Sequence, residues 1–157
     1  MKIQLVAIGK TDNSHIKALI EIYKKRLKHY VNFDFLTIPD VKNTKNLDET
    51  KQKEKEGLLI LKNLKPGAVL ILLDEKGKEH TSVEFSKFIQ KKMNSGIKQL
   101  VFVIGGPFGF SSEVYSKAQG RLALSKMTFS HQMIRIFAVE QIYRAFTILK
   151  NEPYHHK

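Results

Sequence analysis

No cysteine occurs among the 157 residues, which excludes disulfides, thiolate metal sites and a cysteine nucleophile without fixing the compartment. Also missing is an apolar run of about 18 residues, the length a membrane-crossing helix needs. The N-terminus carries no signal-peptide pattern, so the expected location is the cytoplasm, with no membrane partner. Acidic residues are scarce beside basic ones: 15 Asp and Glu face 27 Lys and Arg, a formal net charge of +12. That imbalance favours association with phosphate backbones without specifying a sequence, although net charge also keeps proteins soluble.

Several catalytic and phosphate-binding signatures are absent too. Gly9-Lys10-Thr11 imitates the end of a P-loop, but the glycine required five positions before Gly9 is Gln4. Gly105, Gly106 and Gly109 have the wrong spacing for the GxGxxG turn of nicotinamide-dinucleotide folds. Neither HExxH nor GxSxG occurs, which argues against zinc and serine hydrolysis. The adjacent His155 and His156 are metal ligands or a tag remnant, and with no carboxylate spaced to join them no metal site is expected.

What is present reads as a single globular domain spanning 1–157. Hydrophobic residues make up 42% and charged residues 27%, and a chain of this length buries roughly 70% of its unfolded surface. Apolar periodicity alternates between strand and helix. Lys2 to Gly9 predicts a strand, and Ile16, Leu19, Ile20, Tyr23, Leu27 and Tyr30 fall at helical spacing. Val31 to Ile38 is a second strand. Asn43 to Lys55 is charged and expected to be solvated at its start, with a helix by Leu58 to Leu64. Ala68 to Asp74 reads as a buried strand, and Thr81 with Glu84 forms a capping box that opens a helix to about Met93. Leu100 to Ile104 completes the series. The βαβαβαβα order predicts an α/β domain whose mainly parallel sheet is covered on both faces.

The final third carries the functional signal. An apolar strand running into Gly105-Gly106-Pro107 brings bare backbone to the carboxyl end of a sheet, where open α/β folds bind ligands. From Gln132 to Lys150, Met133, Ile134, Ile136, Phe137, Val139, Ile142, Phe146 and Leu149 surround most of a helix axis. A surface helix shows one stripe, so this helix is covered either inside the monomer or by a second subunit, and a homodimer is expected.

IGGPFG after a strand, LSKMTFSHQMIR, EQIYRAF, the terminal NEPYHHK and the opening MKIQLVAIGK together resemble the RlmH family of bacterial large-subunit rRNA pseudouridine N3-methyltransferases, in the SPOUT superfamily. The likeness runs the length of the chain. It implies a Rossmann-like α/β domain with a C-terminal trefoil knot, a homodimer and S-adenosylmethionine as methyl donor. The implied substrate is a pseudouridine in the helix-69 loop of 23S rRNA, within the assembled 70S ribosome, and DNA is not an expected partner. Two other readings stay open: a non-catalytic ribosome-binding or assembly factor, and a SPOUT tRNA methyltransferase.

Carried over position by position, the resemblance implies a donor site at Leu73, Gly105, Gly106, Leu124, Ser125, Lys126, Met127, Thr128 and Phe129. Pro107 shapes the same turn. Phe108 stands where family members often carry Glu or another polar residue. For the acceptor, Arg135 and Arg144 are assigned to phosphate or anion stabilisation, Tyr154 to stacking or hydrogen bonding with the base, and His155 to proton acceptance or RNA contact. Each has a structural alternative: both arginines could pair with Glu140 at helical spacing, and Tyr154 could anchor the C-terminus.

Overall fold

Strand side chains alternate between two faces, and here both faces are apolar. Ile3, Leu5 and Ala7 enter one core while Val6 and Ile8 enter the other; Leu100, Phe102 and Ile104 divide from Val101 and Val103 in the same way. Helices must therefore cover both sides. The computed structural model, which describes residues 1–41 and 48–156, shows them doing so. Its elements run β1 (Lys2–Ile8), α1 (Ser14–Leu27), β2 (Asn32–Ile38), α2 (Glu49–Lys62), β3 (Val69–Glu79), α3 (Ser82–Asn94), β4 (Gln99–Ile104), α4 (Ser112–Lys117), β5 (Gly120–Ala123) and α5 (Met133–Leu149). All strand pairings are parallel, in the order β2-β1-β4-β3-β5. α1, α3 and α5 pack with the first core, and α2 and α4 with the second.

Local chemistry explains most of the boundaries. Asn13 caps α1 by accepting from the His15 and Ile16 amides, and Thr81 with Glu84 closes the expected capping box on α3. α2 starts at Glu49, well before Leu58, because Asp48 accepts from the Lys51 amide and most of the charged residues that follow, Glu56 excepted, lie away from the core. The Asn43–Leu47 part of the charged stretch lies outside the described residues. α4 and β5 occupy a stretch whose sequence showed only polarity. At six and four residues they are too short to display a period.

β3 also continues past Asp74. Leu73 pairs with Leu122, the register then shifts, and Lys78 pairs with that same Leu122. Residues 74–77 bulge away from the sheet. The strand can return only because Gly77 has no side chain: a Cβ there would lie 2.6 Å from the Leu122 amide nitrogen. This bulge supplies one wall of the site.

Candidate functional site

A cavity of about 420 Å³ lies over the carboxyl ends of β3, β4 and β5, a size typical of small-molecule sites. Leu73, Ile104 and Leu122 at the strand ends, with Leu124 and Ile134, give it an apolar floor. One wall is the turn Gly105 to Phe110, closed by the Gly109 amide donating to the Gly106 carbonyl at 3.1 Å. The opposite wall is Leu124, Ser125, Met127, Thr128 and Phe129, where the Ser125 hydroxyl accepts from the Met127 amide at 3.0 Å and tightens the chain. Asp74, Glu75 and Lys76 of the β3 bulge line the mouth. Tyr115 donates to Asp74 at 2.7 Å, and its hydroxyl is pushed up to about 12, first by burial and then by that carboxylate. It remains a phenol and a donor at neutral pH.

Eight of the nine positions assigned to the donor line this cavity. Lys126 does not: its side chain is 85% exposed and reaches Glu79 at 3.8 Å. Phe108 lines the turn, partly exposed, and presents an aromatic face there. Sequence reasoning passed over Asp74, Glu75, Lys76, Tyr115 and His131. The turn-like Asp74-Glu75-Lys76-Gly77 run was the available signal for the first three. His131 sits at the rim, its imidazole pushed below the usual range by burial and then by Arg135, while Asp40 opposes.

The four residues assigned to the acceptor are elsewhere. Arg135 is corrected by its surroundings: it is 1% exposed, and its guanidinium donates to the Ile8 carbonyl at 2.8 Å and the Thr11 hydroxyl at 2.7 Å. A charge sunk that deeply reaches no phosphate. It ties α5 to the end of β1, and Gln132 adds to the tie by donating to the Lys10 carbonyl and accepting from the Asp12 amide. The Glu140 pairing expected as its alternative belongs to Arg144 alone, at 2.6 Å.

Arg144 and Tyr154 form a second cluster, about 15 Å along α5 from the cavity-lining Ile134 at 1.5 Å per residue. The Tyr154 hydroxyl donates to Glu140 at 3.0 Å and lies 3.2 Å from the Tyr23 hydroxyl. Its ring meets Tyr143 edge-on at 4.9 Å, and the Arg144 guanidinium lies 4.8 Å from its centroid. Burial, Tyr23 and Glu140 together push its hydroxyl well up, so it stays protonated. Tyr154 therefore packs against the folded body, as in the structural alternative by which it anchors the C-terminus. Its ring and hydroxyl already have partners within the chain. His155 is half-buried beside it and His156 is exposed.

The exposed apolar side chains near the cavity form a third feature. Met127 is 76% exposed, and Phe129 and Phe137, 5.0 Å apart, stand near Met133 on the outer side of α5. The opposite side of α5 is covered within the chain by α1, α3 and β1. The all-round apolar pattern thus has two causes, one inside the monomer and one still facing outward.

A parallel α/β sheet with a glycine turn and a ligand-sized cavity at its carboxyl edge defines a class of small-molecule-binding domains. The family described as "Predicted SPOUT methyltransferase" matches residues 1–155. Ribosomal RNA large subunit methyltransferase H of Flavobacterium psychrophilum is 64% identical over 157 residues, with 100% of both chains covered. The proteins of that name from Flavobacterium johnsoniae and Christiangramia forsetii are 63% and 61% identical, again over 100% of both chains. The chain belongs to the SPOUT methyltransferase family and, within it, to the RlmH family that its C-terminal motifs resemble.

Proposed function

We propose that this protein is an S-adenosylmethionine-dependent methyltransferase that modifies N3 of a pseudouridine in the helix-69 loop of 23S rRNA on the assembled ribosome. Large-subunit rRNA methylation is the activity in the names of its full-length relatives. The observation that carries the donor assignment is the convergence of Leu73, Gly105, Gly106 and the 124–129 segment, Lys126 excepted, on one cavity. An adenine ring fits its apolar floor, exposed backbone groups of the two walls can read the ring edge, and Asp74 and Glu75 suit a cationic ligand. Bound there, the donor supplies a methyl group already activated on a sulfonium. The remaining work is alignment and stabilisation of the imide anion formed when N3 loses its proton.

Because Arg144, Tyr154 and His155 lie away from the cavity of their own chain, we place the acceptor site between two protomers, with the tail of one serving the cavity of the other. The outward patch of Met127, Phe129, Met133 and Phe137 supports a homodimer. The C-terminal trefoil knot is what membership of the family implies. The proposed setting is the cytoplasm, and among the described residues no helix is long and apolar enough to cross a membrane.

The deciding experiment incubates the purified protein with 70S ribosomes and labelled S-adenosylmethionine, then maps the product by mass spectrometry. N3-methylpseudouridine in helix 69 is the expected product. Methylated tRNA would favour the related SPOUT activity, and ribosome binding without methyl transfer would favour an assembly factor.

A further inference from the structure

Helix α2 takes no part in lining the cavity, yet it buries a carboxyl group directly behind it. Gln52, Glu56 and Ile60 follow one another at four-residue spacing, which sets them on one helix face turned inward. Glu56 is only 3% exposed. Its Oε1 accepts from the Gln52 amide at 2.9 Å, while Oε2 has no hydrogen-bond partner among the described residues. A buried polar atom left unmatched is costly, and its persistence calls for a reason. The nearest backbone is the cavity turn: a Cβ placed on Gly106 would lie 2.2 Å from Oε2 and 2.7 Å from both Oε1 and the carboxyl carbon. The whole carboxyl group therefore lies against Gly106, on whose other side the cavity opens.

Close approach is built in from both directions. Gly57, the next residue of α2, lies so near the Ser111 hydroxyl that a Cβ would come within 2.5 Å of it. Ser111 in turn caps α4 by accepting from the Val114 amide. α2 is thus seated on both ends of the segment from Gly105 to Ser111. Burial raises the Glu56 carboxyl above its ordinary range, the bond from Gln52 opposes this, and the charge of Asp40 at the end of β2 adds to it.

We propose that Glu56 is a positioning residue of the donor site: its carboxyl group buttresses the Gly105-Gly106-Pro107 turn from behind and sets donor affinity without touching the donor. This rests on the reading of the cavity as the S-adenosylmethionine site. Glu56→Ala leaves the turn unsupported over a void, whereas Glu56→Gln keeps the side-chain volume and an oxygen that can accept from Gln52.

The test compares Glu56→Gln, Glu56→Ala, Gly106→Ala and the Glu56→Ala/Gly106→Ala double variant. Calorimetry measures S-adenosylmethionine binding, ribosome methylation kinetics separate KM from kcat, and hydrogen exchange follows the amides of 105–110. Glu56→Ala should raise the donor KM at least about tenfold with kcat at saturation within about twofold, the pattern of lost ground-state positioning. Glu56→Gln should stay within about threefold of wild type in KM, a conservative rescue of lost positioning. Gly106→Ala should abolish binding in the wild-type background, and the double variant should bind better than Gly106→Ala alone, because the added methyl then has room. Equal KM for Glu56→Ala and wild type, equal loss in the Gln and Ala variants, or no steric rescue would each overturn the proposal. Wild-type protein that binds no S-adenosylmethionine would overturn the donor reading and the link to affinity. The exchange measurement reads the buttress separately: faster exchange at 105–110 in Glu56→Ala supports it, and unchanged exchange refutes it.

Discussion

The cavity over β3, β4 and β5 is shaped by backbone, whereas the cluster around Tyr154 is held by side chains. In the cavity, glycines, a β-bulge and a serine turn fix the walls, and the side-chain pairs are local, Tyr115 with Asp74 and Ser125 with the Met127 amide. In the cluster, Tyr154, Glu140, Tyr23 and Arg144 consume one another's hydrogen bonds and ring faces. A site with its groups unspent can receive a small ligand at little rearrangement cost; one with its groups spent must give up a partner to meet another molecule. On the reading proposed above, the donor would meet groups available within one chain, whereas an acceptor at the Tyr154 cluster would need a second protomer or a shift of the tail.

The sharpest way to break this contrast is Gly105→Val. A Cβ at Gly105 meets the Phe110 ring at 3.1 Å and the Gly109 carbonyl at 3.2 Å, so a branched side chain must displace the turn. Donor affinity should fall at least about 100-fold, roughly 2.7 kcal/mol, in calorimetry, with far-UV circular dichroism near wild type. Undiminished binding would remove Gly105 from the site.

Deleting Tyr154 to Lys157 probes the other region. Methylation of 70S ribosomes should drop at least about tenfold, or ~1.4 kcal/mol of transition-state stabilisation, with S-adenosylmethionine affinity within a few-fold. The packing of Tyr154 adds an outcome that a loose tail would not give, a lower melting temperature. A truncated protein methylating at the wild-type rate would make the tail a structural anchor only.

Mixing Gly105→Val protomers with tail-deleted protomers asks whether the two regions meet across a dimer. Free reassortment yields half heterodimers, each with one intact composite site, and about a quarter of wild-type activity should return. No recovery would place cavity and tail of one chain together. Light scattering supplies the prior condition, a dimer rather than an 18.1 kDa monomer at micromolar concentration.

The smallest effect concerns pH. The His131 imidazole sits below its usual range through burial, then Arg135. A depressed histidine pKa means the unfolded chain binds the proton more readily, so the neutral ring's contribution is present above the unfolded value near 6.5 and declines as pH falls below it through the folded pKa. Melting curves should show a modest loss of stability on acidification that is reduced in His131→Gln. Because the ring is at the rim and exposed, solvent screening should keep the shift in melting temperature small. An identical pH profile in both proteins would remove His131 as its source.

Much of this architecture could be read along the chain, since periodicity is a local property. β1, β2, β4, the start of β3 and the long last helix lie where their apolar spacing puts them, and the capping box at Thr81 where its residue types do; β3 runs on past its apolar part to Glu79. α4 and β5 escaped because neither is long enough to complete a recognisable period. The donor positions came through a continuous family resemblance, and the fold gathers all but Lys126 around one cavity. Arg135 misled because a basic residue near the C-terminus looks the same in sequence whether its guanidinium faces RNA or the Ile8 carbonyl.

By itself, then, the order of residues determined the alternation of strands and helices, the two-sided apolar sheet and the glycine turn at its carboxyl edge, because each follows from neighbours within a few positions. Only the tertiary structure decided that Arg135 is a buried tie, that Tyr154 is packed, that residues 74–77 form a wall and that Glu56 lies behind Gly106. Those outcomes depend on groups brought together from as far as 131 positions apart in the chain, and no local periodicity encodes which distant partner a charge or a glycine will meet.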